Sequence, residues 1–491
     1  MSSLRILLAA SEAAPFAKTG GLADVVTGLG RELARRGHTV RIVMPLYPRV
    51  LDAGVPIEAK PFLENVHVTL GGKSQRFDVV RGELPGAPED RAEVWFIESP
   101  AAFAREQLYS SDHPDEHLRF ALLSKAVLET CQRTRWVPDV FHCNDWHTSL
   151  IPVYKTTTYN WDAALWPART LMSIHNIGFQ GVFDARVLRD LDLERVAADL
   201  DAAELGAGRF SMLRNGVLRA DQVSTVSDTY AREILTPEGG QGLEDVLAAR
   251  ADRLAGIVNG VDYGDWDPAT DPNLPANYTA DDLAGKATCK RALLERMGLP
   301  HDDGAMVLGM VSRLTRQKGL DLLPESLPAF LRQYPNTRLC VLGSGEARYE
   351  EWFQWLRDQL PHQVGIYRGY HEELAHWIEA GSDAFLMPSM FEPCGLNQMY
   401  SLKYGTVPVV RATGGLADTV EPWNPAAETG TGFVFHDYDS RALLEVLHHL
   451  MGAFGHPPAW AKLVQNGMAV DWSWARQAVH YENLYRHMLD R

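Results

Sequence analysis

Two cations and a carboxylate follow predicted strand ends in the second half of the chain. Arg313 and Lys318 lie in the run 312–319, which follows an apolar segment and places three cations within six residues. Glu392 lies in a Pro- and Gly-rich turn after another apolar segment. Ligands of parallel α/β sheets bind at the carboxyl ends of strands, so the cations could neutralise a phosphorylated ligand and Glu392 could accept hydrogen bonds from sugar hydroxyls. The alternatives are a solvated cationic surface and a carboxylate that caps the next helix.

Two glycine pairs precede predicted helices, one in each half of the chain. The first lies in residues 18–24 and the second in residues 413–419. Paired glycines let the backbone approach a ligand closely, and the amides at a helix N-terminus favour an anion. An ordinary tight turn beside an exposed lysine is the alternative for the first pair. Two such segments in two domains indicate a ligand held between them.

Two histidine-containing segments, 144–147 and 175–181, also follow predicted strands. Neither has the His-Glu-x-x-His pattern or the close His and Asp spacing of a metal site, so no metal ligands are predicted and sugar contacts or structural hydrogen bonds are favoured. The pair Gly343 and Gly345 resembles a truncated dinucleotide fingerprint, but Arg348 stands in place of the third glycine. This pattern keeps a nicotinamide oxidoreductase as an alternative.

The elements that position these residues form two successive βαβ patterns, separated by a Gly-, Pro- and Asp-rich stretch at 259–277. Helices are predicted at 22–33, 319–333 and 349–359, with a last helix after Trp474. Continuous apolar runs with helices between them are typical of buried parallel strands, so two doubly wound α/β domains are expected. The predicted strands are 4–10, 39–44, 93–97, 140–143, 170–173 and 222–226 in the first domain, and 306–311, 338–342, 384–387 and 406–410 in the second.

Composition limits the classes of partner. The chain has 491 residues, 46% hydrophobic and 22% charged, which excludes a disordered protein. A formal net charge of −16 disfavours nucleic acid and anionic membranes. The five cysteines are far apart without a Cys-x-x-Cys pair, and the N-terminus lacks signal-peptide architecture, so a cytoplasmic protein with reduced thiols is expected. A homo-oligomer is compatible with these totals.

The ordered motifs resemble those of the bacterial glycogen synthase and plant starch synthase family, retaining glucosyltransferases of the GT-B fold. The resemblance implies two Rossmann-like domains facing across a deep interdomain cleft, at 1–257, completed by a helix at 471–491, and at 258–470. It also implies glucose transfer from ADP-glucose to the non-reducing 4-hydroxyl of an α-1,4-glucan, with no cofactor and no metal. The motifs are Lys18-Thr-Gly-Gly-Leu, Asp145-Trp-His, His175-Asn, Asn259-Gly-Val-Asp, Ser312-Arg-Leu, Gln317-Lys-Gly, Gly369-Tyr-His, Glu392-Pro-Cys-Gly-Leu and Thr413-Gly-Gly-Leu-Ala-Asp.

The resemblance also assigns roles by position. Arg313 and Lys318 would hold the diphosphate and stabilise the charge that grows on it, Glu392 would face the transferred glucose, and His175 would line the sugar site. These four are the expected catalytic residues. The expected substrate-binding residues are Lys18, Gly21, Asp24, Asp145, Asn176, Asn259, Tyr370, Cys394, Gly395, Leu396, Thr413 and Gly414.

Two departures from the family pattern concern donor and acceptor preference. Asn397 stands where many relatives have Thr, and the segment 109–117 is shorter than the acceptor-side loop of many relatives, so Tyr109 receives no role. A UDP-glucose-preferring synthase and a catalytically silent glucan-binding protein are the alternative functions. The presence of Lys18, Arg313, Lys318 and Glu392 together disfavours the silent protein.

Overall fold

A computed structural model describes residues 2–88, 91–110 and 113–491. The chain divides into two compact units. The first comprises Met1–Val226, Ala231–Gly260 and Trp474–Arg491, and the second comprises Ser227–Tyr230 and Val261–Ser473. The short piece at 227–230 groups with the second unit, in which the Thr229 amide donates a 2.9 Å hydrogen bond to the Asp418 carboxylate.

Every strand and helix is numbered in chain order. The strands are β1 (Arg5–Ala9), β2 (Thr39–Pro45), β3 (Leu63–Leu70), β4 (Lys73–Glu83), β5 (Glu93–Glu98), β6 (Val140–Asn144), β7 (Arg169–Ile174), β8 (Val182–Asp184), β9 (Arg209–Ser211), β10 (Gln222–Thr225), β11 (Leu254–Gly256), β12 (Met306–Val311), β13 (Thr337–Gly343), β14 (Val364–Arg368), β15 (Ala384–Met387), β16 (Val407–Arg411) and β17 (Phe433–Phe435). The helices are α1 (Gly21–Arg35), α2 (Pro48–Asp52), α3 (Pro100–Phe103), α4 (Glu116–Thr134), α5 (Leu150–Thr156), α6 (Val187–Asp190), α7 (Ala202–Gly206), α8 (Met212–Arg219), α9 (Asp228–Glu233), α10 (Pro237–Gly240), α11 (Glu244–Ala248), α12 (Ala284–Arg296), α13 (Leu323–Gln333), α14 (Ala347–Gln359), α15 (Glu372–Gly381), α16 (Asn397–Lys403), α17 (Gly414–Thr419), α18 (Ser440–Phe454), α19 (Pro457–Met468) and α20 (Trp474–Leu489).

The first unit is built on a nine-stranded sheet in the order β11-β10-β7-β6-β1-β2-β5-β4-β3. The strands from β11 to β5 pair in parallel, whereas β3 and β4 add an antiparallel edge. Four of the five residues of β1 are buried, because parallel strands are covered by helices on both faces. The neighbours β1, β6 and β7 bring their carboxyl ends to one edge.

The second unit is built on a six-stranded parallel sheet in the order β14-β13-β12-β15-β16-β17. Its core includes Leu308 on β12, Val341 on β13 and Leu386 on β15, with helical residues such as Leu327 and Leu447 packed against them. This arrangement and that of the first unit confirm the prediction of two doubly wound α/β domains.

The C-terminal helix α20 packs on α1 within the first unit. Gly28 of α1 lies so close to Trp474 that an added Cβ would meet the indole nitrogen at 2.0 Å. The Arg36 guanidinium pairs with Glu482 at 2.8 Å, and Tyr485 exchanges a 2.8 Å hydrogen bond with His142 of β6. The chain's last segment therefore contributes side chains to the first unit's core.

One sequence expectation on the elements was wrong, and one pair of strands was missed. The helix predicted at 319–333 begins only at Leu323, because Gly319 adopts a left-handed conformation at φ +71 and a short 3-10 turn precedes the α-helix. The hairpin of β3 and β4 was not predicted, although the alternating buried residues Val66, Val68 and Leu70 are a period-two signal.

No helix among the described residues has the length and hydropathy needed to cross a membrane. All five cysteines are buried and unpaired with one another.

Candidate active site

A buried ion pair joins two of the predicted catalytic residues in the second unit. The Lys318 ammonium lies 2.6 Å from Glu392 Oε2, which also accepts a 3.0 Å hydrogen bond from the Ser389 hydroxyl. Only 7% of the Glu392 side chain and 20% of the Lys318 side chain are exposed. The capping alternative for Glu392 is wrong, because α16 begins at Asn397 and no side chain caps it.

Local backbone contacts bring these two residues together. Lys318 ends a 3-10 turn, and the left-handed Gly319 that follows it packs so tightly that a Cβ would lie 1.8 Å from the Pro388 carbonyl oxygen. The Met390 amide donates a 2.8 Å hydrogen bond to the Gln317 carbonyl. The turn after β12 is therefore fixed against the loop after β15, as the sheet order allows.

The second glycine pair supports the loop that carries Glu392. A Cβ on Gly414, whose φ is +45, would lie 1.9 Å from the Glu392 carbonyl oxygen, and one on Gly415 would lie 2.2 Å from that of Cys394. The Gly415 amide donates to the Glu392 carbonyl at 3.1 Å. Close approach of two backbones is thus a structural requirement for glycine here, besides any contact to an anion.

The other predicted residues of the second unit lie along the same sheet edge. Arg313 is exposed beyond the end of β12, and Tyr370, 73% exposed, follows β14. Cys394 and Thr413 are buried beside the Glu392 loop, whereas Gly395 and Leu396 are half-buried. The departure residue Asn397 donates a 2.8 Å hydrogen bond to the Val311 carbonyl, so it joins the start of α16 to the end of β12.

The Gly343 and Gly345 pair is used for packing. Added Cβ atoms would lie 2.1 Å from the Ser312 carbonyl oxygen and 2.4 Å from the Leu314 carbonyl oxygen. The Leu314 amide donates to the Ser344 carbonyl at 2.8 Å. These glycines let the loop after β13 lie against the cationic segment, which explains the truncated fingerprint without a dinucleotide.

In the first unit, Glu12 organises the predicted phosphate loop, and sequence reasoning missed it. Its Oε2 accepts hydrogen bonds from the Thr19 amide at 2.6 Å and the Thr19 hydroxyl at 2.9 Å. Lys18 pairs with Asp24 at 2.8 Å across the start of α1, which begins at Gly21. A carboxylate that follows a predicted strand and precedes a glycine pair was the available sequence signal.

Asp145 and His175 form the second cluster of the first unit. Asp145 adopts φ +54 and ψ −178, a region that costs a non-glycine residue about 1–3 kcal/mol, and its Oδ1 accepts a 2.8 Å hydrogen bond from the His175 amide. The His175 Nε2 lies 2.8 Å from Asn144 Oδ1, which accepts because the Asn144 amide group donates to Ala9. Burial lowers the pKa of His175 to about 4, so the neutral ring keeps Nδ1 as an acceptor at pH 7.

Three other side chains of the first unit bear on the predicted site. Asn259 is buried, and its Oδ1 accepts no hydrogen bond within the described residues. Tyr109, for which no role was predicted, exchanges a 2.7 Å hydrogen bond with Ser11, and its ring centroid lies 4.6 Å from that of the stacked His147 ring. The Asn176 side chain accepts a 2.9 Å hydrogen bond from the Gly178 amide and thereby shapes its own loop.

A cavity of about 530 Å³ lies beside the 175–181 loop within the first unit. Its lining combines an aromatic wall with polar side chains, as sugar sites require. The lining includes Trp146, Phe179, Gln180, Glu204, Arg209 and Gln241. No group of three or more His, Cys, Asp or Glu that could hold a metal ion occurs in the described part of the chain.

Glu12 is expected to make stability depend on pH. Burial, opposed by the Thr19 hydrogen bonds and Lys18, raises its pKa from 4.5 to about 7. The folded state thus favours the protonated Glu12 carboxyl group. The contribution of Glu12 to the stability of the fold is therefore complete below pH 4.5 and is lost as pH rises through about 7. From about pH 5 to 8, the melting temperature of the wild type should fall relative to that of Glu12→Gln. Glu64→Gln, which replaces an exposed carboxylate, is the control, and its melting temperature should follow that of the wild type across this pH range. If the melting temperatures of Glu12→Gln and the wild type change with pH in parallel, the role assigned to Glu12 is contradicted.

Two protein families and several full-length relatives are similar to this chain. Residues 5–249 match the starch synthase catalytic domain family, and residues 294–452 match glycosyl transferases group 1. A glycogen synthase of Geotalea daltonii is 41% identical over 489 residues, covering 99% of each chain. A glycogen synthase of Anaeromyxobacter dehalogenans is 45% identical over 487 residues, covering 98% of this chain and 99% of that one.

Two solved structures of glycosyltransferases align with the chain over 99% or more of its length. The catalytic domain of starch synthase IV from Arabidopsis thaliana, bound to ADP and acarbose, aligns over 100% of both chains with a TM-score of 0.90 and 32% identity. A sucrose-phosphate synthase from Thermosynechococcus elongatus aligns over 99% of both chains with a TM-score of 0.62 and 17% identity, which shows a shared fold.

Proposed function

Because the chain belongs to the glycogen synthase and starch synthase family, we propose that its donor is ADP-glucose. The chain is a glycosyltransferase of the GT-B fold that synthesises glycogen. Glucose is transferred to the non-reducing 4-hydroxyl of an α-1,4-glucan with retention at the anomeric carbon. The ADP in the related starch synthase structure supports an adenine nucleotide.

The buried pair of Lys318 and Glu392 is the observation that carries the proposal of a sugar-diphosphate donor. The Glu392 carboxylate holds the ammonium at 2.6 Å, so little reorganisation is needed for this cation to meet a diphosphate. Arg313, exposed on the same segment, adds a second positive charge. As the bond between glucose and the diphosphate breaks, negative charge grows on the leaving oxygen, and the two cations stabilise it.

Glu392 and the diphosphate have different tasks in this proposal. Lys318 and Ser389 orient the Glu392 carboxylate, which binds hydroxyls of the transferred glucose. The departing diphosphate oxygen takes the proton of the acceptor hydroxyl as the new glycosidic bond forms. A two-carboxylate glycosidase scheme is therefore not needed. We propose that neither a metal nor a cofactor is required, since the two cations supply the positive charge.

The first unit is proposed to bind sugar through His175 and the neighbouring cavity. The neutral His175 ring offers Nδ1 to a sugar hydroxyl, and the buried Asn259 Oδ1 is a second acceptor. The cavity of about 530 Å³ has room for glucosyl units beside Trp146. Because the glucan is neutral, the net charge of −16 does not oppose its binding.

Five buried thiols without a disulfide support a reducing, cytoplasmic setting. We propose that the protein acts there on its sugar nucleotide and glucan, and that it binds neither nucleic acid nor membrane.

Donor choice is tested by measuring glucose incorporation into glycogen from ADP-glucose and UDP-glucose side by side. The expected kcat/KM is at least about tenfold higher for ADP-glucose, because a pocket that pairs with one base leaves polar groups unpaired with the other. A preference for UDP-glucose would overturn the donor assignment. Absence of transfer from both donors would instead favour the silent glucan-binding protein.

A further inference from the structure

Two tryptophans on one surface segment of the first unit are largely exposed. Trp161 is 69% exposed and Trp166 is 64% exposed, between α5 and β7. The other exposed residues of this segment are small or uncharged: Asn160, Ala163, Ala164 and Pro167. These six residues are called the tryptophan patch. Nothing in the proposed catalytic chemistry uses them.

The patch is held by a rigid backbone. The Asp162 carboxylate accepts hydrogen bonds from the Ala164 amide at 2.8 Å and from Gln132 of α4 at 2.7 Å. The Trp161 indole donates to the Thr158 carbonyl at 3.1 Å. The Lys155 ammonium donates to the Trp166 carbonyl at 3.3 Å. Two aromatic side chains are therefore presented to water on an ordered surface, which is typical of a binding site.

The size and charge of the patch indicate its ligand. At about 150–250 Å² for a buried aromatic side chain, the exposed parts of the two rings offer roughly 200–350 Å² together. A standard protein interface needs about 800 Å² from each partner, so a second copy of the chain is disfavoured. The exposed residues of the patch carry no charge, and Lys155, whose ammonium lies 5.8 Å from the Trp166 ring centroid, is buried, so the exposed surface of the patch is neutral. Flat aromatic faces suit the apolar faces of sugar rings, which are neutral.

The patch lies at the opposite end of strand β7 from His175, the predicted catalytic residue of the first unit. It precedes β7 (Arg169–Ile174), whereas His175 follows this strand. Six residues of strand span about 20 Å, so the patch cannot touch a sugar bound at His175. A polymeric acceptor has many glucosyl units and can occupy both places.

Resting on the proposed function, we propose that the tryptophan patch is a second, non-catalytic binding site for α-1,4-glucan. It holds a chain of the acceptor polymer away from the reacting end. Even a weak second contact raises the local concentration of chain ends at the catalytic site, because binding there becomes intramolecular. Glycogen benefits from this effect, whereas an oligosaccharide too short to span the distance does not.

The experiment compares the Trp161→Ala and Trp166→Ala variants and their combination with the wild type. Each substitution is expected to raise the apparent KM for glycogen by about threefold to tenfold, with kcat unchanged. KM and kcat for maltotriose should stay at wild-type values. Retardation in native gels containing glycogen should weaken in parallel. Trp166→Phe, which retains a flat ring, should restore most of the affinity.

The matched control is Trp355→Ala on α14, where the native side chain is 46% exposed. It should leave the KM for glycogen unchanged. Equal glycogen KM and gel retardation in the double variant and the wild type would overturn the proposal. So would a parallel loss with maltotriose, or a change in sedimentation that reveals a protein partner at the patch. Because maltotriose transfer is measured separately, failure of the patch is distinguishable from failure of the proposed function.

Discussion

Lys318→Ala is expected to lower kcat for glucose transfer by about 10²–10³-fold, the loss typical of one group that stabilises transition-state charge. The ammonium is the cation that the structure holds beside Glu392, at 2.6 Å, so its removal takes away charge at the leaving group. It also leaves the Glu392 carboxylate buried beside Ser389 without its cation, which should cost about 3–5 kcal/mol of stability. Radiolabelled incorporation from ADP-glucose into glycogen measures the first effect, and thermal unfolding measures the second.

Two variants separate chemistry from stability at this pair. Arg316→Ala removes a 65% exposed cation from the same turn, where its nearest carboxylate is 3.9 Å away at Asp321, and should change neither quantity appreciably. The double variant Lys318→Ala/Glu392→Gln removes the uncompensated charge and should recover stability while remaining inactive. Near-normal activity in Lys318→Ala would contradict the assignment of the catalytic pair.

Gly414→Ala is expected to disable the enzyme without touching a charged residue. The new Cβ would lie 1.9 Å from the Glu392 carbonyl oxygen, at a backbone φ of +45 that alanine rarely adopts. The Glu392 loop must shift, and a displacement of about 1 Å at a reacting centre can cost about 10²-fold in rate. Strain and overpacking should lower the unfolding free energy by about 2–4 kcal/mol. Transfer assays and chemical denaturation measure these effects.

Gly452→Ala is the matched control for Gly414→Ala. Gly452 lies in α18, and an added Cβ would meet no atom within 4 Å. Alanine is favoured over glycine inside a helix by about 1 kcal/mol, so this variant should be equally or more stable and fully active. Wild-type activity of Gly414→Ala would show that the Glu392 loop does not need its observed position.

Much of the second unit was predictable because its signals are local. The strands Met306–Val311 and Ala384–Met387 were predicted with their observed bounds, since buried parallel strands are continuous apolar runs. The position of Arg313 and Lys318 after the first of these strands was also predictable. The start of α13 was not, because the left-handed Gly319 is imposed by the Pro388 carbonyl, which lies far along the chain.

In the first unit too, local features were predictable and contacts between distant segments were not. The segment after β1 was predicted to form a loop and a helix start, and α1 begins at Gly21. The contribution of Glu12 was missed, because its raised pKa and its hold on Thr19 depend on burial by neighbouring elements. The positive φ of Asp145 was equally hidden, since glycine is the usual sequence signal for that conformation.

The sequence by itself determined the fold class, the order of the motifs and the kinds of side chain at each strand end, because periodicity and glycine placement act within a few residues. Only the tertiary structure decided which of those side chains meet. Lys318 and Glu392 are 74 positions apart, and their contact exists because β12 and β15 are neighbours in the sheet. Strand order depends on how all the helices cover both faces at once, which no local pattern encodes.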